Sequence, residues 1–153
     1  MNRTAFLFRF PFLFRAALSL LPLLPGCAKP AGPDNGLVGE WAWVRSQGGM
    51  TGAQTYTPAS TGVAVRWVFT SDSTFQAYET RQGATRQTES GTYSLGSVRS
   101  IYNGQSARAL RFAPIPSRAV PGRAVTYVLE ELGAQLILAD NNPDGFGHTY
   151  RRR

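Results

Sequence analysis

Cysteine occurs once in the 153 residues, at position 27, and histidine once, at position 148. A lone cysteine makes no intramolecular disulfide and no multi-thiolate metal site, so the folded part must be held together by its core alone. There is no histidine cluster, no G-x-S-x-G and no glycine-rich phosphate loop after a strand. Spacing alone is silent on a Ser/His/Asp triad, because such triads assemble from distant positions. Nothing favours catalysis, and the chain reads as a non-enzymatic protein with no cofactor and no metal; an enzyme would require a cleft that brings His148 close to a carboxylate or a hydroxyl. After residue 26 no apolar stripe of helical period lasts three turns. No acidic residue precedes Asp34.

That acid-free start carries Arg3, Arg9 and Arg15, followed by the apolar run AALSLLPLLP. A basic region, then 7–15 apolar residues, then small residues is the layout of a secretory signal. A membrane-spanning helix needs about 20 apolar residues. This run is about half that length and contains Pro22 and Pro25, so it does not read as a span. It ends Leu24-Pro25-Gly26-Cys27, which resembles the lipobox of bacterial lipoproteins. The resemblance implies that the Cys27 thiol receives a diacylglyceryl group and that cleavage makes Cys27 the first mature residue. It accounts for both the solitude and the position of the thiol. Residues 1–26 are then the signal peptide. Residues 27–36, rich in Pro, Gly and Ala, form a short flexible tether, and residues 37–153 form one domain.

Without the signal 127 residues remain, enough for one ordinary domain. Three arginines leave with it, so the formal charge falls from +7 to +4. Three of the remaining thirteen basic residues are the terminal Arg151, Arg152 and Arg153. No basic stripe is left, which excludes nucleic acid as a partner.

Beyond residue 37 the pattern is alternation. WAW at 41–43, VAVRWVFT at 63–70, TFQAYET, ESGTYSL, RALRF, AVTYVLEE, AQLILAD and FGHTYRR are short β-branched or aromatic segments. Between them lie turn-forming stretches such as Ser71-Asp72-Ser73, Gln82-Gly83 and Pro143-Asp144-Gly145. The proline-rich piece around Pro114, Pro116 and Pro121 fits neither a helix nor a central strand. Eight or nine evenly spaced strands suggest an antiparallel sandwich or an up-and-down barrel. Closure removes the exposed edges, which favours an all-β barrel of about eight strands. The connection from Ser46 to Gly62, containing QGGMTGAQ, is long for a hairpin and reads as a mobile loop of the kind that often carries binding function.

Gly39-Glu40-Trp41 opening the first strand, with the later pieces in this order, resembles the small lipocalin-like lipoproteins of bacterial envelopes. The resemblance implies a barrel whose Trp41, following Gly39, plugs the closed end, with Arg151 or Arg152 stacked across its ring. It also implies anchoring in the bacterial cell envelope, on the outer membrane facing the periplasm. The expected partners are the membrane, through lipidated Cys27, and a hydrophobic small molecule. The alternative is a filled barrel that binds an envelope protein.

Side-chain parity nominates Trp43, Trp67, Phe69, Phe75, Tyr127, His148 and Tyr150 for the barrel interior or mouth, where an apolar ligand would lie. His148 shares a face with Phe146, Tyr150 and Arg152 and reads first as a wall residue. Asp140-Asn141-Asn142-Pro143-Asp144-Gly145 matches half of a calcium loop. Its twelfth position is Arg151 rather than Glu, and Asn-Pro-Asp-Gly is a strong type I turn, so a hairpin is expected. Glu130 and Glu131 should point to opposite faces of a strand end, which rules out a catalytic dyad by adjacency.

Overall fold

The computed structural model describes residues 36–114 and 125–153. The signal segment, Cys27, the tether up to Asn35 and most of the proline-rich piece lie outside the described residues. Within them the alternating segments form β1 (Gly39–Gly48), β2 (Gln54–Tyr56), β3 (Val63–Phe69), β4 (Thr74–Arg81), β5 (Ala84–Arg99), β6 (Ser106–Pro114), β7 (Val125–Leu132), β8 (Gln135–Asp140) and β9 (Phe146–Arg152). One four-residue helix, α1 (Pro58–Thr61), precedes β3.

Every pairing is antiparallel, in the order β1-β3-β4-β5-β6-β7-β8-β9. β9 then pairs with β1, from Trp41↔Arg152 to Gly48↔Phe146. Eight strands therefore close into a barrel, and β2 is a short addition on the far side of β1. At the Gly48↔Phe146 pairing β1 and β9 run unusually close, since a Cβ on Gly48 would lie 2.2 Å from the Gly145 carbonyl oxygen. Only glycine fits there.

The connection from Ser46 to Gly62 is more regular than the sequence suggests. β1 runs on to Gly48, β2 pairs back upon it, and α1 carries a reciprocal cap between Thr57 and Ser60. Pro58 starts that turn and left-handed Gly62 ends it. The polar β2 triplet is too short to show a period, so only pairing reveals it. Glu130 and Glu131 do not simply alternate. Leu129 pairs with Leu138 and Glu131 with Ile137, which makes Glu130 the extra residue of a bulge. Both carboxylates face solvent.

One half of the barrel is solid. Trp67 sits edge-on to Phe112 at 4.7 Å, Phe75 to Phe112 at 4.8 Å and Phe69 to Tyr93 at 5.1 Å. Leu110, Leu129, Leu136 and Leu138 fill the spaces between the rings. Below this cluster the barrel is plugged by Trp41, which is fully buried and donates its indole N–H to the Leu37 carbonyl at 2.8 Å. The Arg152 guanidinium lies 4.6 Å over the Trp41 ring and donates to the carbonyls of Val38 and Gly36. Gly39 makes this possible, because a Cβ at its φ of +133° would stand 2.8 Å from the guanidinium. Arg151, the other candidate for this contact, pairs with Ala42 and lies exposed on the outer wall.

Candidate functional site

β1 and β3 pair only between Gly39–Ala42 and Arg66–Phe69. Further along, β1 takes β2 as its neighbour on that side, and the two walls diverge. A cleft of about 390 Å³ opens into the upper barrel there, within the ordinary size of a small-molecule pocket. Trp43, Val63, Val65 and Tyr150 supply its apolar lining, Ser46 and His148 its polar wall, and Thr61, Glu79 and Arg81 also line it.

Ser46 enters this wall because of a bulge. Trp43 pairs with Tyr150 and Arg45 with Thr149, which leaves Val44 as an extra residue. Strict alternation from Trp41 would turn position 45 inward and position 46 outward. The bulge resets the pattern, so that Arg45 is exposed and Ser46 is buried. The sequence reading missed Ser46 for this reason. The signal available was an arginine at a position alternation would bury.

Four polar groups follow one another along the wall. The Trp43 indole N–H donates to Ser46 Oγ at 2.9 Å, and Ser46 Oγ lies 2.8 Å from His148 Nδ1. His148 Nε2 faces Asp140 Oδ1 at 3.5 Å. Asp140 ends β8, where its other carboxylate oxygen accepts the Phe146 N–H at 2.9 Å. The turn that follows is the expected hairpin, closed by Gly145 N–H to the Asn142 carbonyl at 3.1 Å. The tip of the β5–β6 hairpin braces it: Asn141 donates to the Arg99 carbonyl and accepts from Ile101 N–H, while the Tyr102 hydroxyl donates to the Asn142 carbonyl. Asp140 is thus fixed from two sides. Sequence reading placed it in a turn and gave it no role.

An ionised carboxylate can only accept, so Asp140 favours the tautomer with hydrogen on Nε2. Nδ1 is then the acceptor and the Ser46 hydroxyl its donor. Hydroxyl, imidazole and carboxylate stand in the order of a nucleophilic triad. The Ser46 oxygen already accepts an indole N–H, and the carboxylate sits beyond good hydrogen-bond length from the imidazole.

At the rim Glu79 binds Arg81 at 2.5 Å and Arg86 at 3.2 Å. The hydrogen bond from Arg81 is the main reason its carboxyl is held below the usual range. Deeper in, burial and then the Asp140 charge push the Tyr127 hydroxyl up to about 12. Burial raises Tyr150 as well. A phenol with a raised folded-state value contributes stability below its unfolded value near 10, and loses it as pH climbs through the folded value. Absorbance at 295 nm should therefore show these two tyrosines ionising well above the ordinary value near 10, together with loss of structure. Free titration near pH 10 in folded protein would contradict their burial.

The structure divides the nominated ligand residues into two groups. Trp43, His148 and Tyr150 line the cleft. Tyr127 sits behind it, its ring edge-on to His148 at 5.7 Å. Phe69 and Phe75 are 1% exposed, inside the solid half, and Trp67 packs between Phe112 and Tyr150. Phe69 and Phe75 are core, because the aromatic cluster leaves no space beside them, whereas Trp67 is only partly buried at the edge of that cluster, next to the Tyr150 that lines the cleft. Among the described residues no group of three or more His, Cys, Asp or Glu side chains could hold a metal ion. No protein family, curated protein or solved structure matches this chain.

Proposed function

We propose that this protein is a lipocalin-like lipoprotein of the bacterial envelope that holds a small hydrophobic molecule at its barrel mouth. The observation that carries the reading is the cleft between β1 and β3, walled by Trp43, Val63, Val65 and Tyr150 above a filled core. Binding would be passive. Apolar surface leaves water at about 25 cal/mol per Å², which offsets the cost of ordering the ligand. Cys27, lipidated, would tether the barrel to the outer membrane on its periplasmic side. Two or more acyl chains suffice for stable anchoring.

Native mass spectrometry on protein recovered from its own envelope tests this reading. The expected result is an added mass of small-molecule size, lost in Val65→Asp or Trp43→Asp protein that still folds. A bare mass that stays bare on challenge with fatty acids and flat aromatics would overturn it.

A second reading rests on the solid half of the barrel, which leaves little interior for cargo. There the protein would act through its rim on an envelope protein, and a bare mass with specific co-purification of one partner would favour it. Both readings are non-enzymatic. Ester turnover abolished by Ser46→Ala would replace them with catalysis.

A further inference from the structure

We propose that Ser46 Oγ is the polar anchor of the cleft, and that it selects apolar ligands carrying a hydroxyl group when His148 is neutral. The inference rests on the binding role proposed above and specifies its ligand class. A serine oxygen has one hydrogen and two acceptor lone pairs. With His148 neutral and its hydrogen on Nε2, the serine hydrogen goes to Nδ1 at 2.8 Å, and one lone pair takes the Trp43 indole N–H at 2.9 Å. One lone pair remains on a side chain that lines the cleft. Against apolar walls it offers a bound molecule a place to donate and nothing from which to accept.

Protonation of His148 reverses that polarity. Nδ1 then carries a hydrogen and donates to Ser46 Oγ, which fills the second lone pair. The serine hydrogen is released toward the cleft, and the preferred ligand becomes one with an acceptor, such as a ketone. The ionisable groups that contact His148 or line the cleft with it are Asp140 on β8, Tyr127 on β7, Tyr150 on β9, and Glu79 and Arg81 on β4. Asp140 is the nearest charge, and it stays in place through the reversal.

The test is calorimetric titration of the purified protein with naphthalene, 2-naphthol and 2-acetylnaphthalene at pH 8 and pH 5. At pH 8 the naphthol should bind roughly three- to tenfold more tightly than the ketone, the value of one hydrogen bond. Wherever NMR shows the His148 ring protonated, the order should invert. Ser46→Ala should bind all three alike at both pH values, and His148→Gln should bind with no inversion, circular dichroism confirming that each variant folds. Equal affinities in the wild type, or a preference that survives Ser46→Ala, would overturn the anchor. Failure of all three, naphthalene included, would instead sink the underlying binding role and this inference with it.

Discussion

Replacing Trp41 by alanine should cost about 3–5 kcal/mol of stability, the upper range for a large buried side chain. The expectation comes from the number of separate interactions that end at one ring. Trp41 is fully buried, its indole N–H satisfies the Leu37 carbonyl, and its face carries the Arg152 guanidinium. Truncation removes the apolar contacts, deletes the indole hydrogen bond to that carbonyl and takes the ring from beneath the arginine that ties the last strand to Val38 and Gly36. Arg152→Met separates these contributions. It keeps an unbranched apolar stem over the ring and should lose only the cation–π term, about 0.5–2 kcal/mol, and the two carbonyl bonds. Urea denaturation of both variants measures the difference. A cost below about 1 kcal/mol for Trp41→Ala would mean that the plug is replaceable and the barrel is closed by other means.

Phe112→Ala should be comparably damaging, about 3–5 kcal/mol, with a second consequence. Phe112 touches Trp67, Phe69, Phe75 and Tyr127, so its ring is the hub of the solid half. Its removal leaves an aromatic-walled void that the surrounding strands, each paired on both sides, cannot collapse to fill. Apolar cavities of this kind stay dry and take up benzene-sized molecules. Benzene should therefore raise the melting temperature of Phe112→Ala well above its effect on the wild type, since a ligand that binds only the folded state stabilises it. Equal effects on both proteins would show that the lower barrel already has room, and the division into solid core and open cleft would fail.

Alternation made the barrel legible. Val63, Val65, Trp67 and Phe69 are the clearest case: a period of two over one strand put all four side chains on one face, and they do lie on the inner wall. Gly39, Trp41 and a terminal arginine were legible by resemblance, and the φ of Gly39 now supplies the physical reason for that spacing. Parity could not tell a lining residue from a filling one. Phe75 and Trp43 both point inward, and only the divergence of β1 from β3 leaves space beside the second. Bulges hid the rest. Ser46 lies two residues past an insertion that reverses the inside and the outside of β1, and a second bulge breaks the alternation at Glu130 and Glu131. Asp140 was invisible for another reason: it meets His148 across a hairpin, where turn chemistry alone explained its presence.

The measurement that bears most directly on the cleft follows the tryptophan indole N–H signals by NMR as naphthalene is added. Each nitrogen reports a different depth. That of Trp43 bonds Ser46 at the cleft wall, that of Trp41 bonds Leu37 at the plug, and Trp67 lies in the aromatic cluster between them. The expected result is a saturable shift of the Trp43 signal and of the His148 ring, with Trp41 unmoved. A shift of Trp41, or saturable binding that leaves Trp43 and His148 where they were, would contradict a ligand site at the barrel mouth.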